Sequence, residues 1–315
     1  MHPLLKVVFF ACIVLMLVAT SAGVGIALSS WICNSPMSDL QSITTEPFDE
    51  IKVCALRVIN ASNQIIGVLG ASCLFVLMMG KRSVNGFWMG VPRMTILLVP
   101  FLAMFSMPLI QAAFEINNAL IPEGSYLEGL LKPSEDNLAK MTEVLLTMNS
   151  FSEYLLMLFV VAVLPALAEE FVFRGVVQAQ LAKAFNNIHV GIWTSAFVFS
   201  FIHFQFYGFL PRMLLGVFFG YLLVHTGSIW SSVLAHFINN AMAVTAAYFA
   251  GSASIGEAQM EEAALNPILL LLSALVFSLM FWVVIQKSKW DIVKPAYLSR
   301  LTAENYETAG DQQES

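Results

Sequence analysis

Long apolar segments separated by short polar connections make up most of the chain. Because a helix of about 20 residues crosses the hydrocarbon core of a bilayer, each apolar segment predicts a membrane-spanning helix. The segments cover residues 5–29, 63–80, 87–113, 151–184, 189–206, 210–225, 229–250 and 266–286. We therefore expect an all-α fold, a polytopic membrane bundle of about eight transmembrane helices.

The same pattern divides the chain into three regions. Residues 1–150 predict a transmembrane scaffold with two acidic outer loops, residues 151–250 a helical core that carries most of the intramembrane polar groups, and residues 251–315 a last helix with a polar cytoplasmic tail. Hydrophobic residues make up 58% of the sequence and charged residues 11%, which is more apolar surface than a soluble protein can hide. The net charge of -6, without a basic stripe, excludes a nucleic-acid partner.

Basic residues collect in the connections on one side of the predicted bundle. They are Lys81, Arg82, Arg93, Lys183, Lys287, Lys289, Lys294 and Arg300, with Lys6 near the first span. Most acidic residues fall on the other side, and Lys and Arg rather than acids set orientation. We expect both termini in the cytoplasm, with the protein in a bacterial inner membrane.

Two features of the first span and its outer loop stay open at this point. The first span resembles a signal peptide in its small residues, yet its apolar length of about 24 residues favours a retained helix. Cys33 and Cys54 lie in the first outer loop, where a disulfide and two free thiols are equally compatible with the sequence.

Ionisable residues in the fourth span mark a functional site, because charged groups inside a membrane are costly. Glu170 and Arg174 stand at i and i+4, the spacing of an ion pair, and predict a structural role. Glu169 has no such partner on its own helix. It lies 17 residues before the turn at Asn186, and His203 lies 16 residues after Asn187. Both are therefore about 25 Å from the turn, so we expect them at one level. The alternative is that the Glu169 carboxyl group is protonated and inert.

Further polar groups belong to the same level of the bundle. His236 and Asn240, four residues apart, share one face of the seventh span, and Phe199 stands four residues before His203. Each of these polar side chains alone is typical of interhelical packing. Together, a carboxylate and an imidazole can take a proton from water, while a second imidazole and an amide stabilise an oxyanion. This set favours peptide hydrolysis. The sequence has neither the GxSxG of a serine hydrolase nor the HExxH of a zinc peptidase.

The candidate residues form three motifs, which are Glu169-Glu170-x-x-x-Arg174, Phe199-x-x-x-His203 and His236-x-x-x-Asn240, and residues 226–230 lead into the third. These motifs closely resemble those of the CAAX protease and bacteriocin-processing family, which includes the type II CAAX prenyl endopeptidases. The resemblance covers about 85 residues, from Val160 to Thr245. It implies an intramembrane glutamate-dependent endopeptidase that acts on membrane-associated protein substrates.

The resemblance also implies a role for each motif residue. Glu169 with His203 would activate water, and His236 with Asn240 would stabilise the oxyanion, while Glu170 and Arg174 complete the first motif. The site would open towards the cytoplasm. We expect no cofactor. Members of the family were also once regarded as metalloproteases, and zinc bound by Glu169, His203 and His236 is the alternative.

Two other classes of function are compatible with the same residues. A non-catalytic scaffold or bacteriocin-immunity protein would keep the motifs for structure alone. A proton-coupled transporter would also bury Glu and His, but it predicts two related halves, and we find no internal repeat in the sequence. Nothing in the sequence indicates whether a substrate is prenylated.

Overall fold

The computed structural model describes residues 1–36, 48–80, 93–251 and 266–286. Within these residues the fold is an all-α bundle, as predicted. Its helices are α1 (Pro3–Ile32), α2 (Glu50–Met79), α3 (Arg93–Ala119), α4 (Tyr126–Leu145), α5 (Phe151–Ala184), α6 (Ile188–Phe201), α7 (Phe209–Thr226), α8 (Ile229–Ala250) and α9 (Pro267–Gln286). Of the helices described, 7 are long and apolar enough to cross a membrane. The protein is therefore an integral membrane protein.

The remaining apolar segment, predicted over residues 189–206, forms a helix too short to span a membrane. This helix, α6, has 14 residues and is about 21 Å long, against a hydrocarbon core of about 30 Å. The chain then runs through a loop, residues 202–208, before α7 begins. His203 lies in this loop rather than within a helix.

Helix α2 begins earlier than the sequence pattern predicted. It starts at Glu50 instead of residue 63, and the Asp49 side chain caps it by accepting the Lys52 backbone N–H at 2.8 Å. The added turns bring Cys54 next to the end of α1, where it forms a disulfide with Cys33. The alternative that the sequence left open is thereby decided in favour of the bond.

The second outer loop contains a helix, α4, where the sequence favoured a solvated loop. Ser125 caps the helix, and none of its residues is buried in the protein. At its C-terminal end, the Arg57 guanidinium of α2 donates to the carbonyl oxygens of Leu145 and Thr147. The same guanidinium lies 3.5 Å from a carboxylate oxygen of Glu153 at the start of α5. These contacts place the end of α4 against the beginnings of α2 and α5.

Helix α5 is the centre of the bundle. Residues 172–182 are buried without interruption, surrounded by α1, α2, α6 and α7. Helices α6 and α7 approach closely at Gly216, where an added Cβ would lie 3.0 Å from the Ala196 Cβ. At Gly220 it would lie 2.8 Å from the Ile192 side chain, so the two glycines of the GxxxG sequence of α7 allow close packing of the helices.

Candidate active site

The two adjacent carboxylates of α5 have different surroundings. Glu170 is fully buried, and its Oε2 lies 3.1 Å from the Arg174 Nε, which is the ion pair that the i, i+4 spacing predicted. Its Oε1 accepts a hydrogen bond from the His236 Nδ1 at 2.9 Å. Glu170 therefore connects α5 to α8 and fixes one nitrogen of the His236 ring, a contact that the spacing along α5 did not reveal.

The Arg174 guanidinium has partners on two other helices. It is 1% exposed, and its Nη2 donates to the Gly216 carbonyl oxygen of α7 at 2.8 Å. The Arg174 Cζ also lies 5.2 Å from the ring centroid of Phe199 and 5.5 Å from that of Phe219, within the range of cation–π attraction. Arg174 thus offsets the buried Glu170 charge and joins α5, α6 and α7.

Glu169 retains limited access, with 14% of its side chain exposed. Its Oε2 lies 3.8 Å from the His236 Nε2, and its Oε1 accepts a hydrogen bond from the Gln64 Nε2 at 3.4 Å. Counting residues from the Asn186 turn paired Glu169 with His203. In the structure the His236 imidazole lies next to Glu169, and Glu169 also interacts electrostatically with His203.

Gln64 is a site residue that the sequence analysis missed, since it indicated no chemistry in the first three spans. A single glutamine in an apolar segment is ordinary, and α2 is far from α5 in the sequence. A π-helical stretch of α2 begins at Asn63, and such stretches are frequent at functional sites, but no sequence signal marked this one.

His203 occupies the first turn after α6. Its Nδ1 is 2.6 Å from the Phe199 carbonyl oxygen and donates to it, which leaves the lone pair on Nε2 in the neutral ring. The Phe199 ring contacts both imidazoles, with its centroid 5.0 Å from that of His203 and 6.1 Å from that of His236. Among the described residues, the ionisable groups that interact electrostatically with His203 are Glu169, Arg212 and His236.

Asn240 lies one turn beyond His236 on α8, but its amide is turned towards α5. Its Nδ2 donates to the Val161 carbonyl oxygen at 3.4 Å, and its Oδ1 accepts from the Asn239 amide at 3.3 Å. It has no hydrogen bond to Glu169, His203 or His236. The structure therefore brings Asn240 to the same region without placing it against the carboxylate.

A metal site would need several of these donors to converge. Within the ranges described, no three His, Cys, Asp or Glu side chains are grouped so that they could hold a metal ion. Of the zinc ligands that the sequence allowed, Glu169 and His236 approach each other, while His203 contacts Phe199. The residues present do not form a three-donor set, so we derive no step through a metal.

The arrangement has the parts of a general-base site. One carboxylate is fixed by an arginine and an imidazole, and the other faces the free nitrogen of that imidazole and retains some access. A second imidazole, that of His203, packs against the Phe199 ring and interacts electrostatically with Glu169. Such a group can hold a water molecule and remove its proton next to a carbonyl group.

A model of a known protein family matches part of the chain. The family model described as type II CAAX prenyl endopeptidase Rce1-like matches residues 151–242. The matched region begins with α5 and contains all the candidate residues named in the three motifs, and it confirms the resemblance seen in the sequence. No curated protein and no solved structure matches the chain.

Proposed function

We propose that the chain is an intramembrane endopeptidase, on the premise that residues 151–242 resemble the type II CAAX prenyl endopeptidases. It would hydrolyse peptide bonds of membrane-associated proteins with a water molecule activated by Glu169. The observation that carries the proposal is the contrast between two neighbouring carboxylates. Glu170 is bound by Arg174 and His236, whereas Glu169 lies beside the His236 Nε2 with part of its side chain accessible.

These positions support the following reaction. A water molecule between Glu169 and the His203 Nε2 gives its proton to the carboxylate as its oxygen attacks the peptide carbonyl carbon. The proton then passes to the leaving nitrogen as the C–N bond breaks, which returns Glu169 to its starting state. The two products, a carboxylic acid and an amine, together contain the elements of the one water molecule that is consumed.

The negative oxygen of the tetrahedral intermediate needs hydrogen-bond donors. His236 supplies one when both its ring nitrogens are protonated, because Glu170 holds Nδ1 and leaves the Nε2–H directed into the site. The Asn240 amide supplies a second donor if it exchanges its weak 3.4 Å bond to the Val161 oxygen for one to the intermediate. In a water-poor site such donors are worth more than in water.

For the orientation, we propose that both termini are cytoplasmic and that the membrane is a bacterial inner membrane. The basic connections support this orientation. So does the Cys33–Cys54 disulfide, because such bonds persist in oxidising compartments outside the cytoplasm.

The proposed activity is tested on the proteins of the membrane itself. We expect that cells producing the chain contain new protein termini in the membrane fraction that cells lacking it do not, mapped by mass spectrometry of terminal peptides. Identical sets of termini under conditions in which the chain is abundant would instead support a non-catalytic scaffold.

Removal of divalent metals is expected to leave the rate of hydrolysis unchanged. The reason is that the proposed steps use carboxylate, imidazole and amide groups of the chain. The measurement is cleavage of a membrane-anchored reporter by the purified protein in proteoliposomes, before and after treatment with a zinc chelator. A loss of activity that added zinc restores would replace this mechanism with a metal-dependent one.

Replacing Gln64 by Leu is expected to lower kcat about tenfold with little change in KM. The amide positions the Glu169 carboxylate, and a hydrogen bond to a charged group is worth roughly 1.5–3 kcal/mol. Asn60→Leu, one turn earlier on α2 and also half-buried, is the matched control. Equal losses in both variants would assign the effect to packing of α2 rather than to Glu169.

A further inference from the structure

We propose that a substrate reaches the candidate site from the extracytoplasmic face of the membrane, so that the bond cut lies in an outer juxtamembrane segment of the substrate. The inference rests on the proposed peptidase function and on the proposed orientation. It runs against the cytoplasmic opening that the family resemblance implies. The contacts of the loop that carries His203 lead to it.

One end of the bundle is defined by the disulfide. This disulfide end holds Cys33 and Cys54, and Arg57, one turn beyond Cys54, joins it to the end of α4 and the start of α5. Helix α3 reaches the same end at Ala119, because residues 120–125 connect it to α4.

The loop of residues 202–208 belongs to the disulfide end. Asn117, two residues before the end of α3, donates to the carbonyl oxygens of Phe206 and Tyr207 at 2.8 and 2.9 Å. Its Oδ1 accepts the Leu210 backbone N–H at 3.0 Å. His203 therefore lies near the disulfide end. The whole length of α6, about 21 Å, separates it from the α5–α6 turn at the opposite end.

The opposite end of the bundle is closed beneath the site. Here the beginning of α1 meets the end of α2, with the rings of Phe10 and Phe75 5.0 Å apart, and Leu181 of α5 packs against the same cluster. Residues 172–182 of α5, which lead from the carboxylates towards this end, are all buried. A peptide cannot reach Glu169 through this packed core without its rearrangement.

The face of the loop is more accessible. Phe204, next to His203, is 59% exposed, and Asn239 and Asn240 on α8 are half-buried on the side of the site away from the α8 N-terminus. If the termini are cytoplasmic, this face is extracytoplasmic. Cytoplasmic termini therefore place the loop that carries His203 on the extracytoplasmic side.

The inference is tested by labelling single cysteines from outside the cell, with the full chain in its native membrane. Cys12 and Cys73, the free cysteines among the described residues, are replaced by Ala, and the disulfide is kept. Phe204→Cys then reports on the site loop, with Ile202→Cys as a second position if that variant does not accumulate. Asn149→Cys marks the disulfide end and Phe185→Cys the opposite end, since both positions are exposed.

We expect a membrane-impermeant maleimide to label Phe204→Cys and Asn149→Cys in intact cells, and Phe185→Cys only after permeabilisation. The proposal fails if the loop cysteine is unlabelled in intact cells while Asn149→Cys is labelled. It fails equally if Phe185→Cys is the position labelled in intact cells. This labelling does not depend on proteolysis. A chain that labels as expected but creates no new termini refutes the peptidase function and leaves the direction of opening established.

Discussion

Replacing Glu169 by Gln is expected to reduce the rate of peptide hydrolysis by about 10²- to 10⁴-fold, the usual contribution of a general base. The substitution keeps the size of the side chain, and the Gln64 N–H can still donate to the amide oxygen, so the contact at 3.4 Å has a replacement. What is lost is the group that accepts the proton of the attacking water. The melting temperature of the purified protein should therefore stay close to that of the wild type.

The measurement is cleavage of a membrane-anchored reporter in proteoliposomes, with folding checked by thermal unfolding in detergent. Glu143→Gln, an exposed substitution on α4, is the control for the general effect of removing a carboxylate. A Glu169→Gln variant that retains more than about a tenth of the wild-type rate would contradict the role as general base.

Glu170→Gln should behave differently, although the two residues are neighbours. Its carboxylate is fully buried and bound to both Arg174 and His236, so the amide leaves an arginine without its counter-ion in the core. We expect this variant to lose stability together with activity, because His236 also loses its orientation. The comparison separates the carboxylate that performs chemistry from the one that holds the site in place.

The sequence predicted those parts of the site that depend on one helix. The Glu170–Arg174 pair follows from i, i+4 spacing, and the long apolar segments follow from the thickness of a bilayer. Contacts between helices depend on rotation about the helix axis as well as on level. Residue counting measures level alone, so it predicted a common level for Glu169 and His203 but could not show that the His236 imidazole lies beside the Glu169 carboxylate.

Two misjudged segments have a similar physical origin. Ile202, Phe204 and Phe206 extend the apolar pattern beyond the end of α6, so hydropathy cannot show that the chain leaves the helix there. Conversely, α4 is polar enough to read as a loop. In the structure, its cap at Ser125 and the contacts of Arg57 with its C-terminal end secure it at the surface of the bundle.

Replacing Arg174 by Met is expected to lower the free energy of unfolding by about 3–5 kcal/mol, the usual effect of removing one partner of a buried ion pair. Methionine fills most of the space but leaves the fully buried Glu170 with His236 as its one remaining partner. The Gly216 carbonyl oxygen also loses its 2.8 Å hydrogen bond, and the rings of Phe199 and Phe219 lose the cation between them.

Thermal unfolding in detergent measures this effect, with Arg212→Met as the matched control because Arg212 is half-buried and bonds to Gln205 in the loop. The double variant Glu170→Gln/Arg174→Met should be less destabilised than the sum of its single changes, since neither charge is then left alone in the core. If Arg174→Met were no less stable than Arg212→Met, neither the ion pair with Glu170 nor the hydrogen bond to Gly216 of α7 would contribute measurably to the stability of the bundle. The fixed orientation of His236 would then need another cause.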